Sequence, residues 1–470
     1  MSGSIPQKLR VGPMVLADDN MNRKVVELYA ASANSQTKYT SGDRLLFNIP
    51  SYQKGFIDFS KSYMKFQAKV TNSSPTSGKV VFYDNIPVFD RVLIRGGNGV
   101  VLEDIQAYQN LERIQMLLKS KNDLESDNIN GNYTIKPDQV TDIVLAAKQE
   151  KSVGYIKKLH SGIFSNEDYL FPVHRVGGGL ELELDISSKA TVLRGATRES
   201  INNWNDSSFE ITNVKFVFSL LTVSDDFLSK YNSMSNNSEL VLPITTFQRH
   251  ISTFASGEIE PVIFINSAKK EVRRAYSVFT KNITTVQNAP LAATAYSAGP
   301  PVIEATPLGT GIQYPRFLKG TSDDNQTCVR FIHKYQDRQF PENYVNATVD
   351  SAGVVTDQTN LLAHALTNIP PEKTKMSPYL ASLSKLHDSG IRSIFEEEFM
   401  IVQDFRSSDD KGVINSLNMN MNSSPLILEV KMNKADTSGV ATSVQTYLEL
   451  SSDVVIGSDG GMSIVTKAAL

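Results

Sequence analysis

Gly179-Leu180-Glu181-Leu182-Glu183-Leu184-Asp185-Ile186 and Pro425-Leu426-Ile427-Leu428-Glu429-Val430-Lys431-Met432 are two copies of one pattern, about half a chain length apart. In each, apolar residues fall at every second position, as a strand with one face on a core and one in water requires. Each is followed by a Lys-Ala pair, Lys189-Ala190 and Lys434-Ala435, and then by a second β-prone run, 209–223 and 444–456. Two β-blocks, each closed by the same strand pair, point to a duplicated β-domain, although alternation alone is common to antiparallel sheets.

The size of the chain agrees with that reading. Its 470 residues suffice for two domains that each bury a core. The net charge is -3, so no overall basic field draws the folded body to nucleic acid, and sequence-specific binding to a genome is not expected. One cysteine, Cys328, excludes an intramolecular disulfide framework and fits folding in the cytoplasm or nucleus. No leader-like segment opens the sequence and no apolar run approaches a membrane span, so neither export nor a membrane span is expected.

Working along the chain, residues 1–41 read as an N-terminal arm with a weak helical signal over 23–31 and basic residues at Lys8, Arg10, Arg23 and Lys24. The first β-domain is expected over 42–228, a polar linker over 229–239, and the second β-domain over 240–470. Arg95-Gly96-Gly97-Asn98-Gly99 matches no phosphate-binding spacing and reads as a tight hairpin. Helical spacing is read over 102–117, with further helices over 139–148 and 361–366. Residues 282–320, rich in Ala, Thr, Pro and Gly, read as a long exposed loop carrying Tyr296, Ile303, Ile312 and Tyr314.

A search for chemistry finds little. His160, His174, His250, His333, His364 and His387 stand singly, without the paired spacing that a metal ion needs, so no metal site is expected. Glu396-Glu397-Glu398 and Asp409-Asp410 are the acidic runs from which a glycosidase pair would have to come. Solvated charge is the commoner role of such runs. No Gly-x-Ser-x-Gly elbow occurs. Trp204, in a run of asparagines, suits the anchoring of its own loop better than the stacking of a sugar. No catalytic, cofactor-binding or metal residue is assigned, no cofactor is expected, and the chain reads as a non-enzyme.

The order of β-block, helix and closing strands resembles the double jelly-roll major capsid proteins of polinton-like viruses, virophages and related double-stranded DNA viruses. The resemblance rests on Phe47-Asn48-Ile49-Pro50, Phe56-Ile57-Asp58-Phe59, Ser62-Tyr63-Met64 and Asn85-Ile86-Pro87-Val88-Phe89-Asp90-Arg91-Val92, then on Leu102-Glu103, Tyr108, 164–172, the Leu180 strand and Ile211-Thr212-Asn213-Val214. It covers most of 42–228, and the second half follows by the internal symmetry. The resemblance implies an all-β fold of two tandem eight-stranded jelly rolls with short helices and long loops. It also implies a homotrimer that packs as a pseudo-hexameric capsomer in an icosahedral virion shell, beside penton and minor capsid proteins. A carbohydrate-binding or glycoside-processing β-sandwich, and a viral attachment spike, are the competing readings. The first would need exposed aromatic platforms or a carboxylate pair in a cleft, and the second repeats and a fibrous trimer stalk.

Overall fold

The computed structural model describes residues 21–31, 38–73, 80–83, 88–117, 142–188, 192–195, 207–234, 239–255, 257–267, 271–281, 328–346, 401–405, 417–418, 424–432, 435 and 441–465. The expected loop 282–320, the expected helix 361–366, Trp204, His364, His387, Glu396-Glu397-Glu398 and Asp409-Asp410 lie outside them.

The first half runs β1 (Asn22–Tyr29), β2 (Lys38–Tyr39), β3 (Arg44–Ile49), β4 (Gly55–Asn72), β5 (Val80–Tyr83), β6 (Phe89–Gly96) and β7 (Val101–Gln106). It continues through helix α1 (Tyr108–Leu117), β8 (Asp142–Leu145), β9 (Glu150–Lys157), β10 (Leu180–Ile186), β11 (Leu193–Gly195) and β12 (Ser207–Thr222). Helix α2 (Asp225–Met234) leads to the second half. There follow β13 (Leu240–Phe254), β14 (Val262–Ile265), β15 (Glu271–Lys281), β16 (Cys328–Tyr335) and β17 (Arg338–Asn346). The chain closes with β18 (Ile401–Asp404), β19 (Leu417–Asn418), β20 (Leu426–Met432), β21 (Thr442–Ile456) and β22 (Met462–Val465).

Two sheets of each half carry the same topology. The first half has the orders β1-β12-β4-β9 and β3-β10-β6-β7, and the second has β13-β21-β15-β18 and β14-β20-β16-β17. Strand for strand these are two eight-stranded jelly rolls, with all pairings antiparallel. The two alternating stretches that open the sequence reading occupy matching places: β10 lies between β3 and β6, and β20 between β14 and β16. On each of these central strands the alternate residues Leu180, Leu182, Leu184, Ile186 and Leu426, Leu428, Val430, Met432 are buried in the core. A small sheet, β11-β5-β8, is added to the first half alone among the described residues.

Several local readings are corrected. Residues 23–31, expected as weakly helical within an arm, hold strand β1, paired with β12 from Asn22↔Thr222 to Tyr29↔Lys215. Val26 and Leu28 pack on the core while Val25 and Tyr29 face out. Pairing with β12 along the whole of the strand outweighs the weak helical spacing. Residues 139–148, expected as a helix, contain β8, which pairs with β5.

The helical spacing read over 102–117 divides at Ala107. Residues through Gln106 are strand, Ala107 has φ +45, and the helix begins at Tyr108. The expected linker overlaps α2. Ser224 Oγ accepts from the N–H of Phe227 at its start, and Asp225 and Asp226 sit in its first turn. Phe227 and Tyr231 of this helix cover Phe56 on the outside of the first barrel, forming a small second core.

The glycine hairpin is as expected: Gly96 N–H donates to Val100 O, and Gly99 takes φ +79.

Candidate functional site

Several buried, perturbed side chains among the described residues line a seam between the two barrels, where α1, β7 and the turn 159–166 of the first barrel meet the outer face and edge of the β13-β21-β15-β18 sheet. Strand β21 is buried on both faces over most of its length. One face packs on its own barrel and the other on its neighbour.

Named contacts cross the seam. Tyr447 Oη donates to Ala107 O at 2.8 Å, and Asn110 Nδ2 to Gln445 Oε1 at 2.8 Å. Asn166 Nδ2 reaches Pro243 O at 3.0 Å, and Asn98 Nδ2 reaches Met462 O at 2.9 Å. Gly177 N–H donates to Gly460 O at 2.9 Å. Two glycines permit this closeness: a Cβ on Gly162 would lie 2.6 Å from Thr245 O, and one on Gly460, at φ +81, 2.8 Å from Gly177 N.

Beneath these contacts lies a set of buried charges. Glu103 accepts from the N–H groups of Gly162 and Ile163 at 2.7 and 3.0 Å. Burial pushes its carboxyl above the usual range; those two N–H groups and the hydroxyls of Ser161 and, from the second barrel, Thr246 oppose the shift. Lys157 Nζ meets Glu112 Oε1 at 2.9 Å with both side chains buried, and burial lowers its ammonium pKa against the pull of that carboxylate. On the second-barrel side, and within that barrel, Tyr276 Oη donates to Glu449 Oε2 at 2.6 Å, and Arg274 reaches Asp404 at 3.1 Å. Acids and bases here are engaged with one another and with backbone, an arrangement suited to fixing two barrels together. Asn110→Ala is expected to cost about 1–2 kcal/mol of stability by removing one such bond from a buried site, read as a lowered denaturant midpoint.

Among the described residues, those singled out by sequence do not converge. His160, His174, His250 and His333 lie in separate places, and among the described residues no group of three His, Cys, Asp or Glu side chains is arranged to hold a metal ion. His174 Nδ1 lies 3.1 Å from Gly55 O, and its ring is 4.7 Å from that of Phe56. Cys328 is buried at the start of β16, with burial raising its thiol pKa. A thiol reagent is therefore expected to leave native protein unlabelled and to modify one site per chain on denaturation. Asn110, Glu112 and Lys157 were missed because they stand in no motif, and Glu103 entered only through the family resemblance. For Asn110 and Glu112 the one signal is a polar residue within the apolar helical spacing of α1, and Lys157, on strand β9, carries none.

Outward, the first barrel's β3-β10-β6-β7 sheet is ionic: Arg91 pairs with Asp104 at 2.7 Å, and Arg44 with both Glu183 and Asp185 at 3.0 Å. The matching sheet of the second barrel also carries ion pairs, Lys334–Glu429 at 2.7 Å and Lys431–Glu260 at 2.8 Å, and in addition exposes Val262 and Phe264 on β14 and Tyr344 on β17, with the Arg330 guanidinium 4.6 Å from the Tyr344 ring centre.

No protein-family model and no curated protein matches this chain. Solved structures do. The structure of PBCV-1 VP54 fitted into a reconstruction of the virophage Sputnik aligns with TM-score 0.58 at 11% identity, over 96% of this chain and 97% of that one. The Faustovirus major capsid protein aligns with TM-score 0.56 at 10% identity, over 94% and 92%. The Sputnik virophage structure determined by electron cryomicroscopy gives 0.52 at 10%, over 98% and 91%. At such identities the likeness defines the fold: this chain is a double jelly roll of the architecture found in major capsid proteins of double-stranded DNA viruses.

Proposed function

We propose that this chain is a major capsid protein: three copies form a six-barrel, pseudo-hexameric capsomer that tiles an icosahedral virion shell around a double-stranded DNA genome. The observation that carries the reading is the pair of topologically identical jelly rolls joined edge to face, an architecture shared with viral capsid proteins over nearly the whole of both chains. Antiparallel two-sheet jelly rolls, with an ionic outer sheet on the first, suit a building block whose work is done by its surfaces. The first barrel begins at β1 and the second at β13. Other copies of itself are the principal partner, with vertex and minor shell proteins completing the particle, and the chain acts in binding and shape, not catalysis.

Electron microscopy of purified protein tests this. Hexagonal capsomers or closed shells are the expected result. A monodisperse particle of 51.9 kDa at every concentration overturns the reading.

A further inference from the structure

The seam inside one chain has a counterpart that the same chain leaves open. In the filled seam, edge strand β7 of the first barrel lies against β13 and the sheet behind it. By strand order β17 corresponds to β7, β1 to β13, and the β1-β12-β4-β9 sheet to the β13-β21-β15-β18 sheet.

Burial differs sharply between the counterparts. Leu102, Glu103 and Ile105 of β7 are buried, whereas Glu342, Asn343 and Tyr344 of β17 are exposed. On the filled side Tyr276 and Val278 of β15 are buried, while Lys65 and Gln67 of β4 are exposed on the outer face. Strand β1 presents Val25 at 69% and Tyr29 at 67% exposure, both on the face away from the core. Tyr29 is flanked by a cation: the Lys215 amine lies 4.8 Å from its ring centre and pairs with Glu27 at 2.6 Å.

We infer that the β1 edge and outer sheet face of the first barrel, marked by Val25, Tyr29, Lys65 and Gln67, dock the β17 flank of a second copy of this chain around Tyr344. The inference rests on the capsid reading above and gives it a specific contact. The occupant is a second copy because the chain already makes this kind of contact once, within itself, and owns both unfilled halves. One half lies on each barrel, so the contact is head-to-tail, and a head-to-tail contact closes into a ring when its rotation allows. Val25, Tyr29 and Tyr344 supply exposed apolar surface, the Tyr344 hydroxyl being satisfied by Glu429 at 2.8 Å, and tyrosine is enriched among the residues that dominate protein contacts.

The test uses the full chain. A Val25→Asp, Tyr29→Asp double variant is expected to weaken association at least a hundredfold, read by analytical ultracentrifugation, with unchanged circular dichroism because both side chains point away from the core. Tyr344→Asp, on the other half, is expected to do the same and stands in if the first variant misfolds. Cysteines at Gln67 and Asn343, joined by a short bismaleimide, are expected to link different copies into covalent ladders, with buried Cys328 silent. If native protein forms trimers while both acidic variants also do and no ladder appears, the docking assignment is overturned and the capsid reading stands. If native protein stays monomeric and forms no shells, the capsid reading falls and the inference falls with it.

Discussion

Removing residues 1–29 is expected to abolish folding of the first barrel, leaving aggregated protein with no cooperative thermal transition. A flexible arm would be dispensable; this segment contains the first strand of an eight-stranded barrel. Its deletion strips the ladder from Asn22↔Thr222 to Tyr29↔Lys215 and exposes the edge of β12 along eight residue pairs. It also uncovers the core beneath Val26 and Leu28. A side chain of this kind contributes about 1.5–3 kcal/mol when fully buried, and a barrel opened at one edge offers its unpaired N–H and C=O groups to other chains. Lost with the strand are two bonds of Arg23, to Ser219 Oγ at 2.6 Å and to Asp58 at 2.9 Å. Soluble protein with a native-like melting curve after this deletion would show that β1 is not integral to the barrel.

The same strand marks where sequence reading stops being informative. Strands β10 and β20 were legible because each has one wet face, so alternation appears directly in Leu180-Glu181-Leu182-Glu183 and Leu426-Ile427-Leu428-Glu429. In β1 the sequence Asn22-Arg23-Lys24-Val25-Val26-Glu27-Leu28-Tyr29 places apolar side chains on both faces. An edge strand awaiting a neighbour on its outer face has no clean period of two, and the spacing of Val25, Leu28 and Tyr29 imitates a helix. Burial on both sides hid β21 from periodicity in the opposite sense: Tyr447, Leu448, Glu449 and Leu450 are all buried, and only length and β-propensity mark them as strand. The seam was illegible for a different reason. Its polar residues come from α1, β7, β9, β13, β15, β18 and β21, and no local spacing can record a contact between Asn110 and Gln445.

The second large effect comes from His333. Its side chain is wholly buried in the second barrel, beside the Phe405 ring at 5.8 Å, and neither ring nitrogen has a hydrogen-bond partner. Burial alone holds its pKa down at about 3, against 6.5 for an ordinary histidine. Below pH 6.5 the unfolded chain takes up a proton that the folded chain refuses, so the folded state is progressively disfavoured as the pH falls toward 3 and keeps its full stability above about 6.5. Integrated over that window the difference is about 4–5 kcal/mol, at 1.36 kcal/mol per pKa unit, comparable to much of the stability of a typical domain. Acid also protonates carboxylates such as Glu27 and Glu260, whose pKa values are lowered by Lys215 and Lys431, so the loss in native protein has several contributors. A His333→Phe variant, with His333→Leu as the smaller alternative, separates them. Either is expected to match or exceed native stability at pH 8, because an apolar ring or chain replaces two unpaired nitrogens, and to lose several kcal/mol less between pH 7 and pH 4 in urea titrations. Parallel stability–pH curves for native and variant protein would show that the imidazole is protonated or solvated within the fold, and would remove His333 from the account of acid lability.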